Sequence, residues 1–173
     1  MYETCCPHVL AYALRRTSRD EAEEVVAETF LVAWRRLHEV PDDPIPWLLA
    51  VARRVLANQR RATGRRRALD QRLGSARLAE NLLAPDPAEE VGQRIALDDA
   101  LKHLSEWDRE ALLLVAWEGL DHRRAATVMS CSPALFAVRL HRARRRLRHQ
   151  LHRGEADAPG SRAIRAPGLE EGR

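Results

Sequence analysis

The sequence predicts an all-α protein of two small helical bundles joined by a flexible linker, the second bundle containing a helix-turn-helix. Apolar residues recur at spacings of three and four in two separate stretches, and no stretch shows the alternation of a strand. The 173 residues are 45% hydrophobic and 31% charged, enough to fold one medium or two small domains. We expect a first bundle at 1–64, a linker at 65–92, a second bundle at 93–153 and a disordered tail at 154–173.

The first bundle begins with an apolar stripe formed by Val9, Leu10, Ala13 and Leu14. Ser18 is then placed to be an N-cap, with Glu21 completing a capping box. The helix that it opens has apolar residues at helical spacing, and we expect Phe30 and Trp34 to belong to the core.

A proline-rich segment, Val40–Pro46, interrupts the helical pattern with three prolines and is expected to be a stiff loop. Pro46 suits the first position of the next helix. That helix has one apolar face, which includes Trp47, Leu48 and Val51. Its other face and its end are polar and basic.

The second bundle shows three further signals of helix ends. Ser105 and Asp108 have the spacing of another capping box, and Gly119 is placed to end the helix that follows. Asp121 is expected to cap a short helix reaching about Met129.

The turn Ser130–Ser132 separates this short helix from one that starts at Pro133, which predicts a helix-turn-helix. Ser132 is its expected N-cap, and Phe136 is expected in the core. Residues 139–153 include seven arginines and no acidic residue. Such a helix suits the DNA major groove, although an arginine-rich helix can also be the solvated face of an ordinary bundle.

Three segments also resemble a known family. Gly119–Leu147, GLDHRRAATVMSCSPALFAVRLHRARRRL, is similar to region 4 of bacterial sigma factors. Asp20–Leu37, DEAEEVVAETFLVAWRRL, and Pro46–Arg61, PWLLAVARRVLANQRR, are similar to region 2. The likeness covers about residues 8–65 and 94–151. Because no large middle domain separates them, the chain resembles the extracytoplasmic-function (ECF) group of the sigma-70 family.

The resemblance implies a transcription initiation factor that binds RNA polymerase core, recognises the −10 and −35 promoter elements and helps to melt the duplex. In region 4 it implies that the helix-turn-helix reads the −35 element. The residues that match are Ser132, Ala137, Val138, Arg139, His141, Arg142 and Arg145. Arg142 is the expected base reader, since an arginine can bind guanine with two hydrogen bonds. Arg124 stands where the family commonly has Glu.

In region 2 the resemblance implies contact with the non-template strand of the −10 element. The Pro-rich loop matches the segment that takes up a flipped base, and the arginine face of the next helix matches the DNA-contacting face. These residues are His38, Glu39, Asp42, Asp43, Arg53, Arg54, Asn58, Arg60 and Arg61.

The helix at Glu21–Leu37 matches the one that docks on the clamp of the largest catalytic polymerase subunit. Its expected exposed residues there are Glu24, Glu28, Thr29, Arg35 and Arg36. The resemblance also implies a contact with the flap of the second large subunit and an anti-sigma factor as a regulatory partner. The acidic linker matches a segment that threads toward the polymerase cleft, or else it is only a soluble tether.

Other classes of protein have little support in the sequence. Cys5, Cys6 and His8 lack the spacing of a structural zinc site, and no catalytic constellation stands out. We therefore expect no metal, no cofactor and no enzymatic activity. No apolar run is long enough to cross a bilayer, and Met1–Leu14 does not have the pattern of a signal peptide. A cytoplasmic protein with free thiols is expected, and Cys131 is expected to be a small core residue.

The sequence is also compatible with two other classes of protein. A conventional helix-turn-helix regulator would bind duplex DNA without polymerase, in most cases as a dimer. An adaptor would bind polymerase and read no DNA, which the arginine-rich last helix disfavours. The first bundle has nine basic and nine acidic residues through Gly64, and this balance suits docking to a protein.

Overall fold

The computed structural model describes residues 1–72 and 97–157, in which every regular element is helical. The elements are α1 Tyr2–Leu14, α2 Arg19–Arg35, a 3-10 turn Leu37–Glu39, α3 Pro44–Arg72, α4 Glu106–Ala116, α5 His122–Val128 and α6 Pro133–Asp157. Residues 97–102 are helical as well. The all-α prediction is therefore confirmed. Most of the expected linker and tail lies outside the described residues.

The described residues divide into two compact units. The first comprises 1–72 and 113–137, and the second comprises 97–112 and 138–157. The first unit thus includes the end of α4, all of α5 and the start of α6 together with the N-terminal helices. No helix among the described residues is both long and apolar enough to cross a membrane.

The core of the first unit lies between α1, α2 and α3, which all contact one another. Its fully buried side chains include Val9, Tyr12, Val25, Leu48 and Leu49, each at most 1% exposed. They lie at helical spacings along their elements, so each helix contributes one apolar stripe. α5 packs against α3 in the same unit, burying Ala125, Ala126 and Val128.

The predicted cap of α2 is confirmed, but one of its hydrogen bonds differs from a capping box. Ser18 has extended backbone angles, and its hydroxyl accepts from the Glu21 N–H at 3.4 Å. The Glu21 carboxylate accepts from the Thr17 hydroxyl. Acidic residues in the first turn also suit the positive end of the helix dipole.

α3 begins at Pro44, two residues before the predicted start at Pro46. The first turn of a helix has no intrahelical partners for its N–H groups, so both prolines fit there without losing a hydrogen bond. The predicted loop is correspondingly shorter, and the 3-10 turn Leu37–Glu39 precedes it. At its other end α3 continues past Gly64 to Arg72.

A largely buried ion pair joins the end of α1 to the segment after α4. Arg16 Nη1 donates to the Tyr12 carbonyl at 2.8 Å and to Glu118 Oε1 at 3.1 Å, and its guanidinium lies 3.6 Å from the Tyr12 ring centroid. Arg15 Nη1 donates to the other Glu118 oxygen at 2.8 Å. The side chains of Arg16 and Glu118 are only 4% and 8% exposed. Gly119 follows with a φ of +63°, where a side chain would be strained.

The second unit has a small apolar core formed by Leu101, Leu104, Ala111, Leu140 and Ala143, all buried. The predicted cap of α4 is confirmed, because the Ser105 hydroxyl accepts from the Asp108 N–H at 3.1 Å. The Arg109 side chain donates to the Leu101 and Lys102 carbonyls and so holds the preceding helical turn against α4.

Removing Glu118 tests the buried pair. We expect Glu118→Ala to lower the free energy of unfolding by about 3 kcal/mol, because Arg16 would keep a buried charge without its carboxylate. Urea denaturation followed by circular dichroism measures this.

Glu23→Ala is the matched control, since Glu23 forms an exposed ion pair with Arg19. Its loss should be at most about 0.5 kcal/mol. Equal losses of unfolding free energy in the two variants would show that the buried Arg16–Glu118 pair stabilises the protein no more than an exposed ion pair does.

Candidate nucleic-acid interface

The predicted caps of both helices of the helix-turn-helix are confirmed. The second helix, however, ends at Asp157, four residues beyond the predicted end of the bundle at 153 and within the tail that was expected to be disordered. The Asp121 carboxylate accepts from the Arg124 N–H at 2.8 Å and caps α5. This hydrogen bond, the largest cause, lowers the pKa of Asp121, so the cap is ionised over the whole physiological range. In the turn Ser130 has a φ of +52°. The Ser132 hydroxyl then accepts from the Leu135 N–H at 3.2 Å and caps α6, with Pro133 at its first position.

The face of α6 that is expected to meet DNA is open to solvent. Phe136 and Leu140 are buried, as predicted for Phe136. Val138, His141, Arg142 and Arg145 are exposed, whereas Ala137 is half-buried. The arrangement offers apolar contact at the start of the helix and guanidinium groups farther along it, which can reach bases and phosphates.

Two predicted −35 residues also have structural partners. Ser132 uses its hydroxyl oxygen for the cap, so a DNA contact would come from its O–H. The Arg139 guanidinium lies 5.0 Å from the Trp107 ring centroid, in cation–π range. Cys131, expected in the core, is only half-buried.

The basic face expected at the −10 element lies along α3. Arg54, Asn58, Arg60 and Arg61 are exposed and Arg53 is half-buried. Arg61 Nη2 donates to Asn58 Oδ1 at 2.5 Å, and Arg60 Nη2 donates to the Arg16 carbonyl at the end of α1. Arg60 therefore ties α3 to α1, which the sequence does not indicate.

The predicted loop residues lie before and at the start of α3. His38 and Glu39 belong to the 3-10 turn and are exposed, as are Asp42 and Asp43. Asp43 forms a two-bond ion pair with Arg124 of α5, at 2.8 Å from Nε and 2.6 Å from Nη2. This hydrogen-bonded carboxylate raises the pKa of Arg124. Arg124, which stands where the family commonly has Glu, is therefore paired with a carboxylate just before α3.

A groove of about 400 Å³ in the first unit brings predicted −10 and polymerase residues together. Its polar lining comes from α2, the 3-10 turn and α3: Glu28, Arg36, Glu39, Arg54 and Asn58. Trp47, Val51 and Val55 supply the apolar wall, and Thr127 of α5 lies at its border. A second contact with the helix-turn-helix lies nearby, where Arg54 Nη2 donates to the Ser130 hydroxyl at 3.3 Å.

Two predictions on α2 are wrong. Thr29, expected to be exposed to polymerase, is fully buried, and its Oγ1 has no hydrogen-bond partner among the described residues. Trp34, expected in the core, is 78% exposed. Phe30 is half-buried and its ring packs edge-on against Tyr2, with centroids 4.7 Å apart. The apolar stripe covers more of the helix surface than α1 and α3 can bury.

Leu31 and Leu37, three positions before and after Trp34 in the chain, are 48% and 56% exposed. The other residues expected at polymerase, Glu24, Glu28, Arg35 and Arg36, are exposed too. We call Leu31, Trp34 and Leu37 the α2 patch. An exposed apolar patch with charged surroundings is typical of a protein–protein interface.

In the second unit the sequence reasoning missed Trp107, Asp108 and Arg146 as functional candidates. Arg146 Nη1 donates to the buried Asp108 carboxylate at 2.5 Å. The pair is separated by 38 positions, so spacing cannot reveal it. In the sequence, only the run of arginines on α6 indicates that Arg146 is a functional candidate. Within the described residues, no three His, Cys, Asp or Glu side chains are placed to hold a metal ion.

Both halves of the chain match known protein families. Residues 1–66 match the family described as sigma-70 region 2, and residues 94–147 match sigma-70 region 4. The chain is 32% identical to the ECF RNA polymerase sigma factor SigM of Bacillus subtilis, over 79% of this chain and 83% of that protein. It is 34% identical to the probable RNA polymerase sigma factor RfaY of Xanthomonas campestris pv. campestris, over 96% of this chain. This chain spans 42% of the RfaY length.

A solved structure has the same fold. It is the sigma factor RpoE in complex with the anti-sigma factor NepR from Bartonella quintana, with 26% identity and a TM-score of 0.64. The match covers 87% of this chain and 94% of that one. A helix-turn-helix joined to a region 2 bundle defines a transcription initiation factor of the sigma type. The chain belongs to the sigma-70 family, in its ECF group, and members of this family are not enzymes.

The Asp43–Arg124 pair can be tested by a double-mutant cycle with Asp43→Asn and Arg124→Gln. Because the two side chains are 50% and 42% exposed, we expect a coupling energy of about 0.5–1 kcal/mol, falling as salt rises. Urea denaturation of the four proteins at low and high salt measures it. A coupling of zero at low salt would mean that the pair does not form in solution.

Proposed function

We propose that this protein binds RNA polymerase core, directs it to promoters with defined −10 and −35 elements, and helps to open the duplex. The observation that carries this is the helix-turn-helix, capped at both helices, with an exposed basic face on α6. It occurs in one chain with a region 2 bundle whose basic α3 face is exposed as well.

In this proposal the two halves of the chain have different tasks. Residues 1–64 bind polymerase and the −10 element, and residues 93–153 bind the −35 element. The segment 65–92 links them, and 154–173 is a tail. The protein acts in the cytoplasm without a membrane insertion, a cofactor, a metal or a catalytic step of its own.

At the −35 element, Arg142 reads a base and Arg145 binds a phosphate. Val138 offers only apolar contact, for example to a thymine methyl group. At the −10 element, α3 offers Arg54 and Asn58 to the exposed strand. Arginine can neutralise a phosphate or stack on an unpaired base, and both contacts favour single-stranded DNA.

Binding of DNA along α3 competes with the helix-turn-helix in this proposal. Asp43 and Arg54 bind Arg124 and Ser130 within the first unit. A DNA strand that uses the same side chains has to displace α5 and the turn. The bidentate Asp43–Arg124 pair would then oppose binding of DNA along α3.

The polymerase partners are the clamp of the largest catalytic subunit, at the α2 patch, and the flap of the second large subunit. An anti-sigma factor is a further proposed partner. It is supported by the similarity to RpoE of Bartonella quintana, whose structure is of a complex with an anti-sigma factor.

Reconstituted transcription tests the proposal as a whole. The protein is mixed with sigma-free bacterial core polymerase and fragments of the host genome, and transcript starts are sequenced. We expect the wild type to give transcript starts that share two spaced upstream motifs. With Arg142→Ala, the starts should no longer share the motif that lies farther upstream. Arg19→Ala, an exposed arginine at the start of α2, is the control. Duplex binding by the protein alone, without core binding or starts, would instead indicate a conventional regulator.

The α2 patch has its own test. We expect Trp34→Ala to weaken binding to core polymerase by about 30-fold, since loss of a central interface tryptophan costs about 2 kcal/mol. Its unfolding free energy should change by less than about 0.5 kcal/mol because the side chain is exposed. Fluorescence anisotropy with labelled protein measures the affinity.

Thr29→Val is the matched control on the same helix. This variant keeps the shape of a buried side chain and removes a hydroxyl that has no hydrogen-bond partner among the described residues. Binding to core polymerase should therefore be unchanged. A loss with Thr29→Val equal to that with Trp34→Ala would contradict the assignment of the interface to exposed residues.

A further inference from the structure

The first two turns of α6 contain no side chain that can form a hydrogen bond. Residues 133–138 have the sequence Pro-Ala-Leu-Phe-Ala-Val. Phe136 is fully buried, but Leu135 and Val138 are 42% and 51% exposed. The start of the helix therefore presents two aliphatic side chains to water, which is unfavourable in the free protein and is relieved when a partner covers them.

Leu135 and Val138 lie in one row with Arg142. The three residues are at i, i+3 and i+7 of one continuous helix, so their side chains are neighbours on its surface. All three are exposed, whereas Phe136 and Leu140 are buried. At a rise of about 1.5 Å per residue, the row is about 10 Å long. Because base pairs of B-DNA are about 3.4 Å apart, it is long enough to face about three successive base pairs.

Thymine is the one base with an apolar group on its edge in the major groove. It presents a C5-methyl group, whereas the edges of guanine, adenine and cytosine present only hydrogen-bond donors and acceptors. An aliphatic side chain pressed against a donor or acceptor leaves that group without water or another partner, which is costly. Against a methyl group, the same side chain buries apolar surface on both molecules. Exposed aliphatic residues at this position therefore favour thymine over the other three bases.

We propose that Leu135 and Val138 are specificity-determining residues that select two neighbouring A·T base pairs of the −35 element through the methyl groups of their thymines. The inference rests on the proposed function, because α6 has to lie in the major groove of a promoter. It adds Leu135 and a second thymine to the single apolar contact of Val138. Arg142, farther along the row, reads the base pair beside them.

Two observations favour DNA over a protein as the partner of this apolar pair. Residues 139–153, which follow the pair on the same helix, include seven arginines and no acidic residue, so the surroundings attract a polyanion. In addition, the pair lies at the start of the second helix of a helix-turn-helix, and the N-terminal residues of that helix are the ones that contact base edges.

The promoter sequences give the first test. The full chain with core polymerase defines the −35 motif through the transcript starts that it produces. We expect two neighbouring A·T pairs next to the pair that is read by Arg142. In the double variant Leu135→Ala/Val138→Ala, the preference for A·T should be lost at these two positions and kept at the others.

Deoxyuridine in place of thymidine isolates the methyl group, because it removes that group and keeps the base pair. Unlabelled promoter duplexes compete with a labelled promoter for the full chain bound to core polymerase. Each buried methyl group should contribute about fourfold in affinity, so deoxyuridine at both −35 thymines should weaken binding by about 15-fold. Deoxyuridine between the −35 and −10 elements is the control on the DNA side and should leave the affinity unchanged.

The protein variants show whether these two side chains contact the methyl groups. The double variant Leu135→Ala/Val138→Ala should bind the thymidine and deoxyuridine duplexes equally well. Leu14→Ala is the matched control, since Leu14 at the end of α1 is an exposed leucine with the same 42% exposure as Leu135. It should keep the full preference for thymidine. Thermal unfolding shows that each variant is folded, as expected for changes at exposed positions.

The outcomes separate this inference from the proposed function. Equal binding of both duplexes by the wild type, or a −35 motif without neighbouring A·T pairs, would overturn the inference and leave the proposed function standing. Loss of core polymerase binding in the double variant, with equal binding of both duplexes by the wild type, would assign the apolar pair to a contact with polymerase instead. A wild type that gives no transcript starts and binds no promoter would contradict the proposed function and the inference with it.

Discussion

A buried charge with three kinds of partner determines how the first unit is assembled. The Arg16 guanidinium lies against the Tyr12 ring, donates to the Tyr12 carbonyl and pairs with Glu118. Desolvation of a guanidinium is costly, so it is tolerated only where carboxylate, carbonyl and ring are all in place. Glu118 immediately precedes the glycine turn that leads to α5. The Glu118 carboxylate therefore joins the segment that leads to α5 to the end of α1.

Arginine is used in this protein as both a structural and a binding residue, and its neighbours decide which. Arg15, Arg16 and Arg139 lie near the rings of Trp117, Tyr12 and Trp107, so aromatic residues hold guanidinium groups in three places. Arg60 donates to a carbonyl at the end of α1. By contrast, Arg142 and Arg145 are exposed on the free face of α6. Count and spacing cannot separate these roles, since all of these side chains have the same charge and reach.

Local signals in the sequence were enough to predict most of the helix boundaries. Ser18, Ser105, Asp121 and Ser132 all cap helices, as expected, because a cap is formed between residues only three positions apart. The helix-turn-helix was predicted from the Asp121 cap, the turn Ser130–Ser132 and the arginine-rich helix that starts at Pro133. The start of α3 was predicted two residues late, because the rule against proline does not hold in the first helical turn.

The sequence by itself determined the helical class, the caps, the turn before α6 and the family resemblance, all of which depend on short-range order along the chain. The tertiary structure decided which apolar residues stay exposed and which charges pair. It buries Thr29 and exposes Trp34 because α1 and α3 cover only part of α2. It pairs Asp43 with Arg124 and Asp108 with Arg146, residues that are far apart in the chain. The packing of whole helices decides which of these distant residues meet, and a local sequence pattern does not contain that information.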